Sequence, residues 1–129
     1  MFELTKYSTK IRINLENGIW VFDAQSATGK TRLSKLLKDL DALGEPVGSI
    51  TYYDILRGDL TVESFLSREK YRVVLLDRYD MYSNLGHEAI CACARRAIVL
   101  IACKQGYTGS RDDGVCFIET TADSINITA

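Results

Sequence analysis

One eight-residue stretch constrains the fold of this chain more than any other feature of its sequence. It consists of Ala24, Gln25, Ser26, Ala27, Thr28, Gly29, Lys30 and Thr31. The stretch fits a pattern of Ala or Gly, four variable residues, Gly-Lys, and then Ser or Thr. Residues 19–22 before it are β-branched and aromatic, as in a strand, and the leucines after it follow helical spacing from residue 33 to residue 43. The sequence therefore predicts a strand, a tight loop and a helix in direct succession.

This succession suits a loop that holds a polyphosphate. A helix that starts directly after the loop presents unpaired backbone N–H groups and the positive end of its dipole to an anion. Lys30 adds a full positive charge, and the hydroxyl of Thr31 can hold a magnesium ion. The residues predicted to contact the nucleotide are Gln25, Ser26, Ala27, Thr28, Gly29, Lys30, Thr31 and Arg32.

A second segment points to the same chemistry. Residues 73–76 form an apolar run that is followed by the carboxylate of Asp77. The loop and this run resemble the Walker A and Walker B elements of P-loop NTPases. In that family the hydroxyl of the loop and the acid share the metal ion, so the resemblance implies that Thr31 and Asp77 bind Mg²⁺. It also implies that Lys30 holds the β- and γ-phosphates of ATP or a related triphosphate.

The N-terminal segment points to a smaller group within the P-loop NTPases. Residues 2–7 and 10–15 alternate apolar and polar side chains, which predicts an antiparallel hairpin, and residues 15–18 follow as a Leu-x-x-Gly turn. This hairpin resembles that of ABC-type and related chromosome-maintenance ATPases, so the chain is similar to a minimal ABC/AAA-like ATPase domain. In such proteins an aromatic residue of the hairpin often stacks on adenine. Tyr7 could take that role, or it could be an ordinary edge-strand tyrosine.

The residues after Asp77 depart from the ATPase pattern. ATPases of this class carry a Glu directly after the Walker B Asp to activate water, whereas this chain has Arg78. Asp80 is the nearest acid that could orient a nucleophile, so it is predicted to be catalytic together with Lys30 and Asp77. Lys104 follows the next predicted strand and is either a γ-phosphate sensor or a solvated lysine.

The predicted fold is α/β, with a mainly parallel sheet of about five strands flanked by helices, similar to P-loop NTPases, and with an N-terminal antiparallel hairpin. The hairpin is expected to lead as a meander into the loop strand. Residues 49–55 are predicted to form a strand, Thr61 to start a short helix, and residues 82–96 to form another helix. A further strand is predicted at residues 97–103, and the tail at 124–128 is expected to pair at a sheet edge.

Composition narrows the class of protein. At 129 residues the chain is predicted to be a single nucleotide-binding domain, residues 1–129. Its formal net charge of −1 gives no broad basic surface, so nucleic-acid binding is not indicated. No apolar stretch reaches the roughly 20 residues that cross a bilayer, and a signal peptide is not apparent, so a cytoplasmic location is predicted. The four cysteines lack a metal-like spacing and are predicted to be reduced core residues.

The predicted function is Mg²⁺-dependent binding and slow hydrolysis of ATP or a related triphosphate. The chain itself offers no assignable arginine finger. Arg95, Arg96 or Arg111 could complete the site of a neighbouring subunit, in a homo-oligomer or in a larger ATPase assembly.

Two alternatives stay open. One is a nucleotide-gated binding module with little turnover. The other is a nucleoside monophosphate kinase, because Asp77-Arg78-Tyr79 is similar to the Asp-Arg-Tyr motif of thymidylate kinases. The glycine-rich segment 104–114 could then form a small lid.

Overall fold

The computed structural model describes residues 1–23, 29–58, 60–82, 86–103 and 114–129. The strands are β1 Phe2–Lys6, β2 Thr9–Asn14, β3 Gly18–Phe22, β4 Val47–Ile50, β5 Val73–Leu76, β6 Ile98–Ile101, β7 Gly114–Thr120 and β8 Ser124–Thr128. The helices are α1 Lys30–Ala42, α2 Tyr52–Leu56, α3 Val62–Leu66 and α4 His87–Ala94, with a 3-10 helix at Tyr79–Met81.

The strands form one mixed sheet in the order β1-β2-β8-β7-β3-β6-β5-β4. The pairs β1·β2 and β7·β8 are antiparallel, whereas the other neighbours are parallel. The predicted mainly parallel sheet of about five strands flanked by helices, similar to P-loop NTPases, is therefore wrong. The chain forms a curled, mixed sheet of eight strands with few helices. The difference arises because the N-terminal hairpin and the C-terminal tail join the sheet.

The C-terminal strand lies inside the sheet. β8 lies between β2 and β7, so the prediction that it pairs at an edge is wrong. Its residues Ile125 and Ile127 are fully buried and lie opposite Ile11 and Ile13 of β2. The predicted meander is also wrong, because β8 and β7 separate β2 from β3. Pairing between the two ends of the chain leaves no local periodicity, so the sequence pattern did not reveal it.

The curled sheet has a hydrophobic core on each face. On one face α1 packs through Leu33, Leu36, Leu37 and Leu40. The same cluster contains Ile11 and Ile127, so the terminal strands share a core with α1. On the other face α3 and α4 pack against the middle of the sheet. β6, the strand predicted within residues 97–103, is buried on both of its faces.

A helix start replaces the predicted strand at residues 49–55. β4 ends at Ile50 and α2 begins two residues later. The hydroxyl of Thr51 accepts a hydrogen bond from the backbone N–H of Asp54, and the Asp54 carboxylate accepts one from the N–H of Thr51. The prediction failed because the β-branched and aromatic residues here favour a strand, while the capping box outweighs that preference. The chain therefore turns at Thr51, directly after β4.

The other helices follow their sequence signals more closely. The predicted N-cap at Thr61 is confirmed, since its hydroxyl accepts the backbone N–H of Ser64 at 3.1 Å. α3 then buries Val62, Phe65 and Leu66. α4 lies within the helix predicted for residues 82–96, but it begins at His87.

Candidate functional site

The carboxyl ends of neighbouring parallel strands meet at one edge of the sheet. One residue from each strand lies in the same row across it: Ile50 of β4, Leu76 of β5, Ile101 of β6 and Val21 of β3. The residues that follow these positions, including Thr51 and Asp77, therefore line a common edge. Sheets of this kind place their ligands at the carboxyl ends of parallel strands.

A cleft of about 440 Å³ opens at this edge. It is lined by Thr31, Ser34, Lys35, Lys38, Thr51, Tyr52, Tyr53, Asp77, Arg78 and Met81. The four lining residues of α1 occupy positions i, i+3, i+4 and i+7, so they share one face of that helix. The volume falls within the range of small-ligand sites, about 300–1,000 Å³. The cleft thus lies between α1 and the ends of β4 and β5.

The first turn of α1 can receive an anion at the same edge. Gly29 is the N-cap residue, and no side chain in the described part of the protein caps this helix end. Leu33 donates an intrahelical hydrogen bond to the carbonyl of Gly29, and the first turn contains no acidic residue. The backbone N–H groups of Lys30, Thr31 and Arg32 precede that bond, as in any helix start. Their partial positive charge is therefore not offset by a carboxylate of the helix itself.

The two residues predicted to share the metal ion line the same cleft. Thr31 offers a hydroxyl and Asp77 a carboxylate, which are oxygen ligands of the kind that Mg²⁺ prefers. Mg²⁺ at nucleotide sites usually takes one or two protein oxygens and completes its shell with phosphates and water. No group of three or more His, Cys, Asp or Glu side chains that could hold a metal exists among the described residues. The hydroxyl of Thr31 and the carboxylate of Asp77 fit the one or two protein oxygens that such an ion takes.

Hydrogen bonds hold the backbone of Asp77, and burial disfavours the ionised form of its carboxyl. Burial raises the pKa of its carboxyl above the ordinary value, although Arg78 and Lys38 act in the opposite direction. Its N–H donates to the carbonyl of Ile50 at 2.9 Å, and its carbonyl accepts the hydroxyl of Tyr82 at 2.7 Å. Tyr82 is almost fully buried, so its hydroxyl needs such a partner. No motif or spacing in the sequence points to Tyr82, although it positions the predicted metal ligand.

A buried carboxylate supports the wall of the cleft formed by α2. Asp54 is 6% exposed and accepts hydrogen bonds from Lys38, Arg57 and Thr51. Burial by itself would raise the pKa of Asp54, but the hydrogen bonds from Lys38 and Thr51 and the charge of Lys38 lower it below the ordinary value. The ammonium of Lys38 is thereby fixed at the cleft. The available sequence signal was the Thr-x-x-Asp spacing of a capping box, which the strand prediction overlooked.

The predicted catalytic acid Asp80 is engaged with Arg78. Arg78 lies in the left-handed region with a φ of 53°, and its guanidinium donates two hydrogen bonds of 3.3 Å to the carboxylate of Asp80. Arg78 lines the cleft, whereas Asp80 is not among the lining residues in the described ranges. An orienting role of Asp80 in catalysis would therefore compete with its two hydrogen bonds from Arg78.

Lys30 lies at the same edge but beside the cleft. Its ammonium is 5.7 Å from the centre of the Phe22 ring, at the end of β3. Burial raises the pKa of the Cys103 thiol to about 11 and that of the Cys116 thiol to about 12, and the charge of Lys30 opposes both shifts. One strand, β6, separates β3 from β5, which corresponds to about 10 Å between the strand that precedes the loop and the strand that carries Asp77.

The side chain of Arg32 stabilises the start of α1. Its guanidinium donates to the carbonyls of Thr121 and Ala122 and to the hydroxyl of Thr9. These contacts tie the helix to β2 and to the turn between β7 and β8. A contact of Arg32 with a nucleotide would therefore come from its backbone N–H.

Tyr7 lies in the two-residue turn between β1 and β2. Tyr7 and Ser8 both have positive φ, and the Tyr7 ring is 70% exposed. The ammonium of Lys6 lies 4.3 Å from the centre of that ring. The adjacent Thr9 contacts Arg32, so the turn lies at the same edge as the start of α1.

Several predicted residues lie elsewhere. Arg95 and Arg96 follow α4 and precede β6, so they lie at the opposite edge of the sheet, where Arg96 donates to the carbonyl of Leu66 at 2.7 Å. The following predicted residues lie outside the described residues: Gln25, Ser26, Ala27, Thr28, Lys104 and Arg111.

In comparisons with known proteins, no family model, no curated protein and no solved structure matches this chain. Within the described ranges, no helix combines the length and the apolar character that crossing a membrane requires. Function is therefore inferred from the chemistry of the residues at the strand ends.

Proposed function

We propose that this chain binds ATP or a related nucleoside triphosphate with Mg²⁺ and hydrolyses it slowly. The main support is that Thr31 and Asp77, which come from separate elements, line one cleft. Phosphate binding of this kind depends on a local loop followed by a helix start, because the binding groups are backbone N–H groups and nearby side chains. It is therefore compatible with the mixed eight-stranded sheet.

Each predicted residue has a chemical role in this proposal. Lys30 holds the β- and γ-phosphates, and the backbone N–H groups of residues 26–29 and of the first turn of α1 bind phosphate oxygens. Thr31 and Asp77 hold the magnesium ion, which neutralises phosphate charge when it is bound. The exposed ring of Tyr7 offers a surface on which the base can stack.

We expect slow hydrolysis of the triphosphate because of the residues that follow Asp77. Arg78 stands where related ATPases carry the water-activating Glu, and Asp80 is engaged with its guanidinium. An incomplete set of catalytic groups gives turnover on the order of 10⁻³ per second in P-loop enzymes. Arg95 and Arg96 lie at the far edge, so they would reach a triphosphate only on a neighbouring copy. In that case the rate per chain rises with protein concentration, whereas a constant rate argues against assembly.

The pairing of Arg78 with Asp80 also favours a second function, a nucleotide-gated binding module with almost no turnover. The two functions differ in one measurement. If the unmodified protein binds Mg·ATP but releases ADP no faster than its Lys30→Ala variant, the module is the better description.

Binding is tested first, by thermal unfolding and calorimetry with a panel of triphosphates, with and without Mg²⁺. A ligand that binds the folded state raises the melting temperature by mass action. Lys30→Ala removes a charge-assisted contact of about 1.5–3 kcal/mol, so we expect the dissociation constant to rise about 10- to 100-fold. Lys70→Ala is the matched control, because this lysine precedes β5 at the opposite edge. A lack of any Mg²⁺-dependent nucleotide binding, or equal losses in both variants, would reject the proposal.

A further inference from the structure

The cleft extends beyond the two predicted metal ligands. From Thr31 and Asp77 it continues along α1 to the start of α2. We define the outer cleft as the part lined by Lys35, Lys38, Tyr53, Arg78 and Met81. The roles proposed for the triphosphate assign no partner to these five side chains.

The outer cleft favours an anion. Lys35, Lys38 and Arg78 bring three positive charges to the cleft, whereas Asp77 is the one carboxylate among its described lining residues. Lys38 is held by Asp54 and Arg78 by Asp80. Lys35 is exposed and makes no ion pair with another residue in the described ranges. Its ammonium is therefore available to a ligand, whereas the charges of Lys38 and Arg78 are offset by their carboxylate partners.

The outer cleft also presents unusual apolar surface. Tyr53 is 71% exposed and Met81 is 47% exposed, although both are large hydrophobic side chains. The ring of Tyr52 lies 6.4 Å from that of Tyr53 at an angle of 54°, so the two rings do not stack face to face. An exposed tyrosine and a methionine at one concave site can hold an aromatic ring, by ring contact on one side and by a sulfur contact on the other. Apolar and cationic groups thus meet within one small volume.

We propose that the outer cleft binds a second small ligand in which an aromatic ring is joined to a phosphate group. The ring contacts Tyr53 and Met81, and the phosphate contacts Lys35 and Arg78. The whole cleft, with its inner part at Thr31 and Asp77, has a volume of about 440 Å³, so the ligand of its outer part is limited to one ring and one phosphate. Only the position of this ligand beside a bound triphosphate rests on the proposed function.

The test is a titration of the ¹⁵N-labelled full chain with phenyl phosphate, followed through backbone amide shifts. Phenol and inorganic phosphate serve as the two halves of the probe. We expect phenyl phosphate to bind at least 10-fold more tightly than either half, with shifts concentrated at residues 35, 53 and 81. Equal affinity for inorganic phosphate would reduce the site to a simple anion site and overturn the proposal, as would shifts that fall outside the outer cleft.

Variants then assign the two contacts. Tyr53→Leu keeps an apolar side chain but removes the ring, and we expect at least a 5-fold loss of phenyl phosphate affinity, while Tyr53→Phe retains it. Lys35→Gln should give a similar loss. Phe117→Ala on β7 and Lys70→Gln are matched controls, since Phe117 is also an exposed aromatic residue outside the cleft. Unchanged affinity in Tyr53→Leu and Lys35→Gln would refute the assignment.

The result is separable from the proposed function. Phenyl phosphate binding in the Lys30→Ala variant, with triphosphate binding lost, supports the outer cleft on its own. Binding of Mg·ATP by a protein that shows no response to phenyl phosphate overturns this inference and leaves the proposed function in place.

Discussion

The surroundings of Asp77 oppose the charge of its carboxylate. Burial raises the pKa of its carboxyl in the folded protein. The folded state therefore binds this proton more tightly than the unfolded chain does. The favourable contribution to folding is complete below the unfolded pKa and is lost as the pH rises through the raised folded pKa. At neutral pH and without metal, the ionised side chain destabilises the fold, as functional residues often do.

Asp77→Asn is thus expected to stabilise the metal-free protein by about 1 kcal/mol at pH 7. The gain should disappear near pH 3, below the ordinary carboxyl pKa of 3.8, where both states are protonated. Urea denaturation at the two pH values measures this. A loss of stability at pH 7, or an equal gain at both values, contradicts the account of its burial.

Gly29 combines an unusual backbone conformation with a close contact. Its φ is 94°, and a Cβ atom there would lie 2.3 Å from Cγ2 of Thr120. Gly44 has a similar φ of 86° but open space around it. Substitution of Gly44 therefore measures the cost of the positive φ alone. We expect Gly44→Ala to cost about 1–2 kcal/mol and Gly29→Ala about 1 kcal/mol or more beyond that. The comparison is made by chemical denaturation, and equal losses would show that the contact with β7 does not matter.

At the scale of elements, two helix starts offer a matched comparison. Thr51 caps α2, and its hydroxyl also donates to the buried carboxylate of Asp54 at 3.1 Å. Thr61 caps α3 at an exposed position, where its hydroxyl accepts the backbone N–H of Ser64. We expect Thr61→Ala to cost about 1 kcal/mol and Thr51→Ala up to about 2 kcal/mol. Urea midpoints measure both, and a smaller loss for Thr51→Ala contradicts its proposed double role.

The position of β8 differs most from the prediction. Substitutions on its two faces should change stability by different amounts. Ile127 is fully buried, so Ile127→Ala should cost about 2–5 kcal/mol. Asn126 lies on the other face of the same strand and is partly exposed. Its replacement by Ala should therefore cost less than about 1 kcal/mol of stability. Denaturation curves of the two variants decide this. Similar small losses would indicate that β8 does not lie between β2 and β7.

Elements with a local signal were predictable, and elements set by distant pairing were not. α1 follows its leucine spacing, and α3 follows the cap at Thr61. The interior position of β8 depends on β2, at the other end of the chain, and local periodicity carries no information about that partner. The helix start at Thr51 does carry a local signal in its capping box, which outweighs the strand propensity of its neighbours.

The residues of the candidate site also differ in how far the sequence predicts them. Thr31 and Asp77 each follow a recognisable local run, and both line the cleft. The supporting residues have no such pattern: Tyr82 reaches the carbonyl of Asp77, and Lys38 reaches Asp54, only through the folded arrangement. Sequence alone therefore identified candidate ligands but not the groups that position them.

At the scale of the whole molecule, the unexpected strands support the start of α1. The curled sheet brings β2 and the β7–β8 turn to the start of α1, where they bind the guanidinium of Arg32. Thr120, at the end of β7, lies against Gly29. The terminal strands thus fix the helix start from which Lys30 and Thr31 project. The strands of the mixed sheet thus hold the start of α1, and this role requires no additional helix.

The central claim is that a metal-bound triphosphate lies between the start of α1 and the end of β5. Mn²⁺·ATP tests it most directly, because the paramagnetic ion broadens amide signals within a limited distance. We predict that broadening is strongest at Thr31 and Asp77, weakens towards Arg72 and Ala97 at the opposite edge, and loses this pattern in Lys30→Ala. Broadening centred on any other surface, or none at concentrations of Mn²⁺·ATP that are saturating for phosphate-loop proteins, would contradict the claim.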